Sequence, residues 1–163
     1  MNRLFFGLVG ALLVCSARAG LFKDGETVCF LGDSITHGGR FHSYIYDYYL
    51  TRFPARTVRF VNAGVSGDSA GGALGRLADD VVAKRPTAVA VMFGMNDVGR
   101  GLYVAEPGEQ QRAGQQRALE NYRANMERLT ARLKAEAGEP RLLFVTPSPF
   151  DQTGVNDRNN NQP

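Results

Sequence analysis

The sequence predicts an α/β protein in which a doubly wound parallel sheet is covered by helices on both faces. Short, continuously apolar segments alternate with longer segments whose apolar residues recur at helical spacing. Continuously apolar strands are typical of parallel sheets that are buried on both faces. Polar, glycine-containing loops follow the apolar segments, and proteins of this class place their functional sites in such loops.

Four strands are predicted, at residues 27–31, 58–61, 88–93 and 142–145. The first three are followed directly by glycine or asparagine, and the fourth is followed within two residues by Pro147; these residue types end regular structure. Helices are predicted between them at residues 43–52, 73–83 and 110–137. The last helix has apolar residues spaced by three and four, which form one stripe expected to face the sheet. The members of the stripe are Leu119, Tyr122, Met126, Leu129 and Leu133.

The first 19 residues have the features of a secretory signal peptide. A basic residue precedes an apolar run over residues 4–14, and Ala17 and Ala19 are small residues at the positions that a signal peptidase reads. The apolar run is too short to span a bilayer, so no stable membrane insertion is expected after the signal is removed. We therefore expect a secreted or periplasmic protein whose domain covers residues 20–163.

The composition argues against several classes of function. Hydrophobic residues make up 44% of the chain and charged residues 21%, as in an ordinary globular domain. The formal net charge is +3, and loss of Arg3 and Arg18 with the signal peptide lowers it to +1, so no nucleic-acid partner is expected. No cluster of histidine and cysteine has the spacing of metal ligands, and neither a metal nor another cofactor is expected. Cys29 lies in an apolar strand and is expected to be an inert core residue.

Three of the loops carry residues that suit acyl transfer. Ser34 follows Gly-Asp directly after the first strand, a position that lifts a serine hydroxyl out of the sheet. Gly67 follows the second strand and can turn its backbone N–H inward, because no side chain blocks it. Asn96 follows the third strand, and its carboxamide can donate to the same oxygen. A nucleophile beside several hydrogen-bond donors is the arrangement that acyl transfer requires.

The segments around these residues resemble the first three sequence blocks of the SGNH (GDSL) hydrolase superfamily. They are Gly32-Asp33-Ser34-Ile35-Thr36, residues 62–68 and Gly94-Met95-Asn96-Asp97, and their order and spacing match those of the family. The resemblance implies a flavodoxin-like three-layer α/β/α sandwich that hydrolyses esters through an acyl-enzyme. It also implies that Ser34 is the nucleophile. The backbone N–H groups of Ser34 and Gly67 would form the oxyanion hole with the Asn96 side chain.

A fourth block of that family, Asp-x-x-His after the last strand, is not found in the 163 residues. No such pattern follows Phe150, and no histidine follows His42. Without a general base, a serine hydroxyl is a weak nucleophile at neutral pH. His37 and His42 are the substitute candidates, but both are expected to be loop residues that face solvent. We therefore expect the sequence to be incomplete at its C-terminal end and the 163-residue polypeptide to be nearly inactive.

A second serine offers an alternative nucleophile. Residues 67–71 fit the Gly-x-Ser-x-Gly pattern of the α/β-hydrolase nucleophile elbow, with Ser69 at its centre. An elbow follows its strand directly, whereas residues 62–66 separate this motif from the predicted strand. Only 26 residues lie between Arg40 and Gly67, too few for the strands and helices that the α/β-hydrolase fold has there. Ser34 is therefore the preferred nucleophile, and an esterase that uses Ser69 remains the alternative.

The favoured function is that of a secreted serine esterase that acts on a small-molecule or carbohydrate ester. Export and the family resemblance make O-acetyl groups on carbohydrate the expected substrate. Because the histidine block is not found, a second hypothesis stays open. It is a non-catalytic, glycan-binding pseudoenzyme that has the same fold.

Overall fold

Residues 20–104 and 106–147 are described by the computed structural model. They form three layers, in which one parallel sheet lies between helices on its two faces. The strands are β1 (Thr27–Gly32), β2 (Arg59–Gly64), β3 (Ala88–Met92) and β4 (Arg141–Phe144). They lie in the order β2-β1-β3-β4, and each neighbouring pair is parallel. The predicted flavodoxin-like α/β sandwich is therefore confirmed. The predicted signal peptide and residues 148–163 lie outside the described part of the chain.

Within the described residues, four α-helices connect the strands. They are α1 (Ser34–His37), α2 (Arg40–Arg52), α3 (Ala70–Asp80) and α4 (Glu109–Glu136). Two short 3-10 helices, Val82–Lys84 and Arg100–Leu102, lie in the connections that flank β3. None of the helices in this part of the chain is long and apolar enough to cross a membrane.

The two faces of the sheet belong to separate hydrophobic cores. Val28 and Phe30 of β1 pack in the core under α2. Cys29 and Leu31 of the same strand pack in the opposite core, under α3 and α4. Successive side chains of a strand point to opposite faces, so a continuously apolar strand fills both cores. The uninterrupted apolar runs in the sequence therefore follow directly from burial on both faces.

The boundaries of β2 and α3 differ from the predicted ones. β2 continues through Gly64, because residues 62–64 pair in register with the last three residues of β1. α3 begins at Ala70 rather than at residue 73. Its N-cap is Ser69, whose side chain accepts a hydrogen bond from Gly72 N. The loop between β2 and α3 is consequently shorter than the sequence indicated.

The predicted apolar stripe of α4 is only partly buried. Leu129 and Leu133 are fully buried, whereas Leu119 is 52% exposed, so the prediction was wrong for Leu119. The N-terminal part of α4 does not cover the sheet at that point. It packs instead on the 3-10 helix Arg100–Leu102, where the Leu102 side chain lies against Gly114.

This difference in burial predicts unequal costs for two identical substitutions on one helix. Leu129→Ala should lower the free energy of unfolding by about 2–5 kcal/mol, because it leaves a cavity in the core under α3 and α4. Leu119→Ala should change it by less than about 0.5 kcal/mol, because the side chain is already half exposed. Urea denaturation of both variants measures the difference, and equal losses would contradict the packing described here.

Candidate active site

Three strands end side by side at the position of Gly32, the last residue of β1. Gly32 pairs with Gly64 of β2 on one side and with Met92 of β3 on the other. The three predicted site residues follow these strand ends by two, three and four positions along the chain. β2 and β3 lie on opposite sides of β1, and the crevice outside the carboxyl ends of the strands at such a switch point is where open α/β sheets bind ligands. The predicted site residues therefore all lie at this edge of the sheet.

Ser34 is the first residue of α1 and is exposed. The buried Asp33 side chain caps this helix by accepting a hydrogen bond from Ile35 N at 3.0 Å. The N–H and the hydroxyl of Ser34 make no hydrogen bond to another described residue. Both groups are therefore available to a substrate. Asp33 holds the turn between β1 and α1 by this hydrogen bond to the backbone.

α1 packs unusually close to the end of β2, because Gly64 has no side chain there. A Cβ on Gly64 would collide with the backbone N of His37 and would lie 2.6 Å from the carbonyl carbon of Thr36. His37 Nδ1 lies 3.1 Å from Gly64 O, and Asn62 Nδ2 donates to His37 O at 3.1 Å. These contacts attach the helix that carries Ser34 to the end of β2.

Gly67 lies in the exposed loop between β2 and α3, with a φ of 81°. This left-handed conformation strains residues that have a Cβ, which explains glycine at this position. Its N–H makes no hydrogen bond to another described residue and can donate to a bound oxygen. No other described atom lies within 4 Å of the position that a Cβ would take, so the space beside Gly67 is open.

The half-buried Asn96 joins the third loop to the second. Its Nδ2 donates to Asp68 O, the carbonyl directly after Gly67, at 2.8 Å. A carboxamide nitrogen carries two N–H donors, and the second one has no partner among the described residues. Asn96 can therefore hold the second loop with one donor and offer the other to a substrate oxygen.

Asp97 makes a second connection between the same two loops. Its Oδ1 accepts from Ala70 N at 3.0 Å, and its Oδ2 accepts from Gly94 N at 3.0 Å. Burial raises the pKa of the Asp97 carboxyl above its ordinary value, while these two amide hydrogen bonds act in the opposite direction. The carboxylate is thus committed to backbone groups, as expected for a residue that holds its loop.

Both histidines pair with backbone carbonyls, and neither lies in a loop as predicted. His37 is the last residue of α1 and lies beside Gly64 O. His42 lies in the first turn of α2, where its Nε2 is 3.0 Å from Thr36 O. Its ring stacks on Phe30 with 4.9 Å between ring centroids, and the side chain is half-buried. The loop prediction was wrong because Asp33 caps a short helix that includes His37, and because α2 begins at Arg40 rather than at residue 43.

Ser69 is occupied as a helix cap. Its hydroxyl oxygen accepts from Gly72 N at 3.1 Å, and its backbone is extended. It lies five residues after the end of β2, whereas a nucleophile elbow turns directly out of a strand. The loop that contains Ser69 therefore lacks the strand-to-helix turn of an elbow.

Cys29 of β1 is buried in the core under α3 and α4. Burial raises the pKa of the Cys29 thiol to about 12, so the thiol stays neutral and inert, as predicted. In residues 20–104 and 106–147, no group of three or more His, Cys, Asp or Glu side chains is arranged to hold a metal ion.

Sequence analysis missed Arg76, which lies in the middle of α3. Its guanidinium donates to the carbonyl oxygens of Gly32 and Ala63, near the ends of β1 and β2. The only sign of this in the sequence is the i,i+4 spacing to Asp80, with which Arg76 forms a salt bridge. Such a spacing normally marks an exposed helix face and carries no information about distant carbonyls.

Comparisons with known proteins agree with the resemblance seen in the sequence. The model of the GDSL-like Lipase/Acylhydrolase family matches residues 30–162. An acetylxylan esterase from Geobacillus stearothermophilus is 33% identical over 92 residues, a match that covers 47% of this chain and 42% of that protein.

Solved structures of similar proteins share the fold. A gut microbial diltiazem-metabolizing enzyme superposes with a TM-score of 0.74 at 38% identity, over 83% of this chain and 30% of that one. The acetylxylan esterase from Geobacillus stearothermophilus superposes with a TM-score of 0.60 at 26% identity, over 77% of this chain and 61% of that one. The matches span less than two thirds of the length of each of these relatives. Since the family match covers most of the sequence and the sheet has the same fold, the chain belongs to the GDSL-like lipase/acylhydrolase family.

Proposed function

We propose that this chain carries the nucleophile and the oxyanion hole of a secreted serine esterase that removes O-acetyl groups from carbohydrate. One observation carries the proposal. At the edge where β2, β1 and β3 end in register, the hydroxyl of Ser34, the N–H of Gly67 and one of the two N–H groups of Asn96 are left without protein partners among the described residues. Family membership and the similarity to an acetylxylan esterase support the ester and the carbohydrate.

In the proposed reaction, Ser34 acts as the nucleophile and three N–H groups act as hydrogen-bond donors to the substrate oxygen. Ser34 Oγ attacks the ester carbonyl carbon, and the carbonyl electron pair moves onto its oxygen. The backbone N–H groups of Ser34 and Gly67 and the free N–H of Asn96 stabilise that oxyanion. The oxyanion collapses, the alcohol leaves with a proton, and an acyl-enzyme remains on Ser34. Water then releases the acid by the same route.

The base that accepts the Ser34 proton is proposed to lie outside residues 20–147. His37 and His42 are engaged with Gly64 O and Thr36 O, and neither is hydrogen-bonded to Ser34. Family resemblance points to an Asp-x-x-His block as the source of the base. On this proposal the 163-residue polypeptide alone is nearly inactive, since a general base contributes roughly 10²- to 10⁴-fold.

The glycan-binding pseudoenzyme remains the second candidate because neither histidine of the described residues is hydrogen-bonded to Ser34. It would use the same crevice to hold a carbohydrate without cleaving an ester. The third candidate, an α/β-hydrolase that uses Ser69, has less support, because Ser69 caps α3 and lies five residues beyond its strand.

The choice of nucleophile predicts opposite outcomes for two serine variants of the full-length gene product. Ser34→Ala should lower kcat for p-nitrophenyl acetate by at least about 10⁴-fold, because the acyl acceptor is removed. Ser69→Ala should keep kcat within about threefold and should lower the free energy of unfolding by about 1 kcal/mol, the usual cost of a lost helix cap. If Ser69→Ala abolishes turnover while Ser34→Ala keeps the wild-type kcat, Ser69 is the nucleophile and the elbow hypothesis is correct.

The substrate proposal predicts acetate release from acetylated xylo-oligosaccharides by the full-length gene product. Release should be lost in Ser34→Ala, because hydrolysis of the sugar ester would use the same nucleophile as the chromogenic ester. Coupled assay of free acetate measures the rate, and calorimetric titration of Ser34→Ala measures binding of the same oligosaccharides. Binding by the wild type without any acetate release would support the pseudoenzyme instead.

A further inference from the structure

One arginine of α3, Arg76, donates four hydrogen bonds, three to the strand ends and the loop after β2 and one to its own helix. Nε donates to Asp68 Oδ2 at 2.8 Å, and Nη2 lies 2.6 Å from the same oxygen in a salt bridge. Nη1 donates to Ala63 O at 2.8 Å and to Asp80 Oδ2 at 2.9 Å. Nη2 also donates to Gly32 O at 3.3 Å. The guanidinium therefore bridges β1, β2 and the loop that follows β2.

This cluster is largely shielded from water. The side chain of Arg76 is 18% exposed and that of Asp68 is 10% exposed. Charge-assisted hydrogen bonds are stronger where water is excluded, and a planar guanidinium holds several acceptors in fixed directions. The contacts of Arg76 thus fix the positions of its acceptors relative to one another, whereas an exposed ion pair would add little to stability.

Asp68 connects Arg76 to the predicted oxyanion donors Gly67 and Asn96. It is the residue directly after Gly67, and its carbonyl oxygen accepts the hydrogen bond from Asn96 Nδ2 at 2.8 Å. Its Oδ1 accepts from Ser69 N at 2.8 Å, so the carboxylate is held on both oxygens. Arg76 fixes the side chain of Asp68 while Asn96 fixes its carbonyl. The peptide unit between Asp68 and Ser69 is therefore held at its carbonyl and at its N–H, and Asp68 N, which donates to Val65 O at 3.2 Å, holds the peptide unit between Gly67 and Asp68.

We propose that Arg76 is a positioning residue for the oxyanion hole. It fixes the Gly67 loop relative to the end of β1, two residues before Ser34, and through Asp68 it orients the Asn96 carboxamide. It touches no substrate atom itself. This inference rests on the proposed function, because it assigns the residue a role in the same esterase site.

Steady-state kinetics with p-nitrophenyl acetate and inhibition by phenylboronic acid test the proposal in the full-length gene product. Arg76→Met removes all five donors at similar side-chain length. It should lower kcat by about 10- to 100-fold while KM stays within about threefold, because small misplacements of catalytic donors cost rate rather than ground-state binding. The inhibition constant of phenylboronic acid, which forms a tetrahedral adduct with serine, should rise by a similar factor. Arg76→Lys keeps the positive charge but loses the planar guanidinium that holds several acceptors at once. Its kcat should therefore fall, and its boronate inhibition constant rise, by less than in Arg76→Met.

Arg132→Met is the matched control. Like Arg76, Arg132 of α4 donates to a backbone carbonyl, Leu74 O of α3 at 2.6 Å, and forms an i,i+4 salt bridge, in its case with Glu136. It contacts none of the three loops in these interactions, so its kcat should stay within about threefold of the wild type. A folded Arg76→Met variant with wild-type kcat and boronate inhibition would overturn the proposal. If Arg76→Met does not fold, Arg76→Lys decides by the same two measurements, and unchanged values overturn it.

Hydrogen exchange separates a failure of this inference from a failure of the proposed function. If the wild type hydrolyses no ester, the proposed function is wrong, but the positioning claim can still be judged. Arg76→Met, or Arg76→Lys in its place, should then exchange amide hydrogens about tenfold faster in peptides from residues 65–72 and 94–100, while exchange in the strands stays unchanged. Arg132→Met should show no such change. Unchanged exchange in both loops would overturn the inference, whatever the activity.

Discussion

The parallel pairing of β1 with two neighbours is the constraint on which the rest of the site depends. Gly32 pairs with Gly64 on one side and with Met92 on the other, so three chain segments leave the sheet from the same level. A shift in register would move every side chain of the strand to the other face, and the two cores forbid it. The packing of the interior therefore determines where the three loops begin, before any loop residue makes a contact.

Hydrogen bonds between the loops then fix the positions of the three loops relative to one another and to the strand ends. Val65 N donates to Gly32 O at 3.0 Å, which joins the second loop to β1. The third loop is bonded to the second through Asn96 and Asp97, and Arg76 joins the second loop to both strand ends. These contacts hold the loops in place and leave the N–H of Gly67 and one N–H of Asn96 without a partner among the described residues. Such preorganisation is what electrostatic stabilisation of an oxyanion requires.

The sequence was sufficient for the sheet, because continuous apolar strands and intervening amphipathic helices leave few ways to bury both faces. It also placed the candidate residues correctly at the carboxyl ends of the strands. It was insufficient where tertiary contacts decide local structure. α1 has four residues and exists through the Asp33 cap and the close approach at Gly64. The exposure of Leu119 depends on where α4 lies relative to the sheet. The contacts of Arg76 span up to 44 residues of sequence, and no short pattern encodes them.

A crystal structure of the full-length gene product inhibited by a small alkyl phosphonate tests the account most directly. The phosphonate mimics the tetrahedral intermediate, and its phosphoryl oxygen occupies the oxyanion position. The account predicts a covalent bond to Ser34 Oγ, with that oxygen about 2.7–3.1 Å from the backbone N of Ser34, the backbone N of Gly67 and Asn96 Nδ2. An adduct on another serine, or a phosphoryl oxygen that none of these nitrogens approaches, would contradict it.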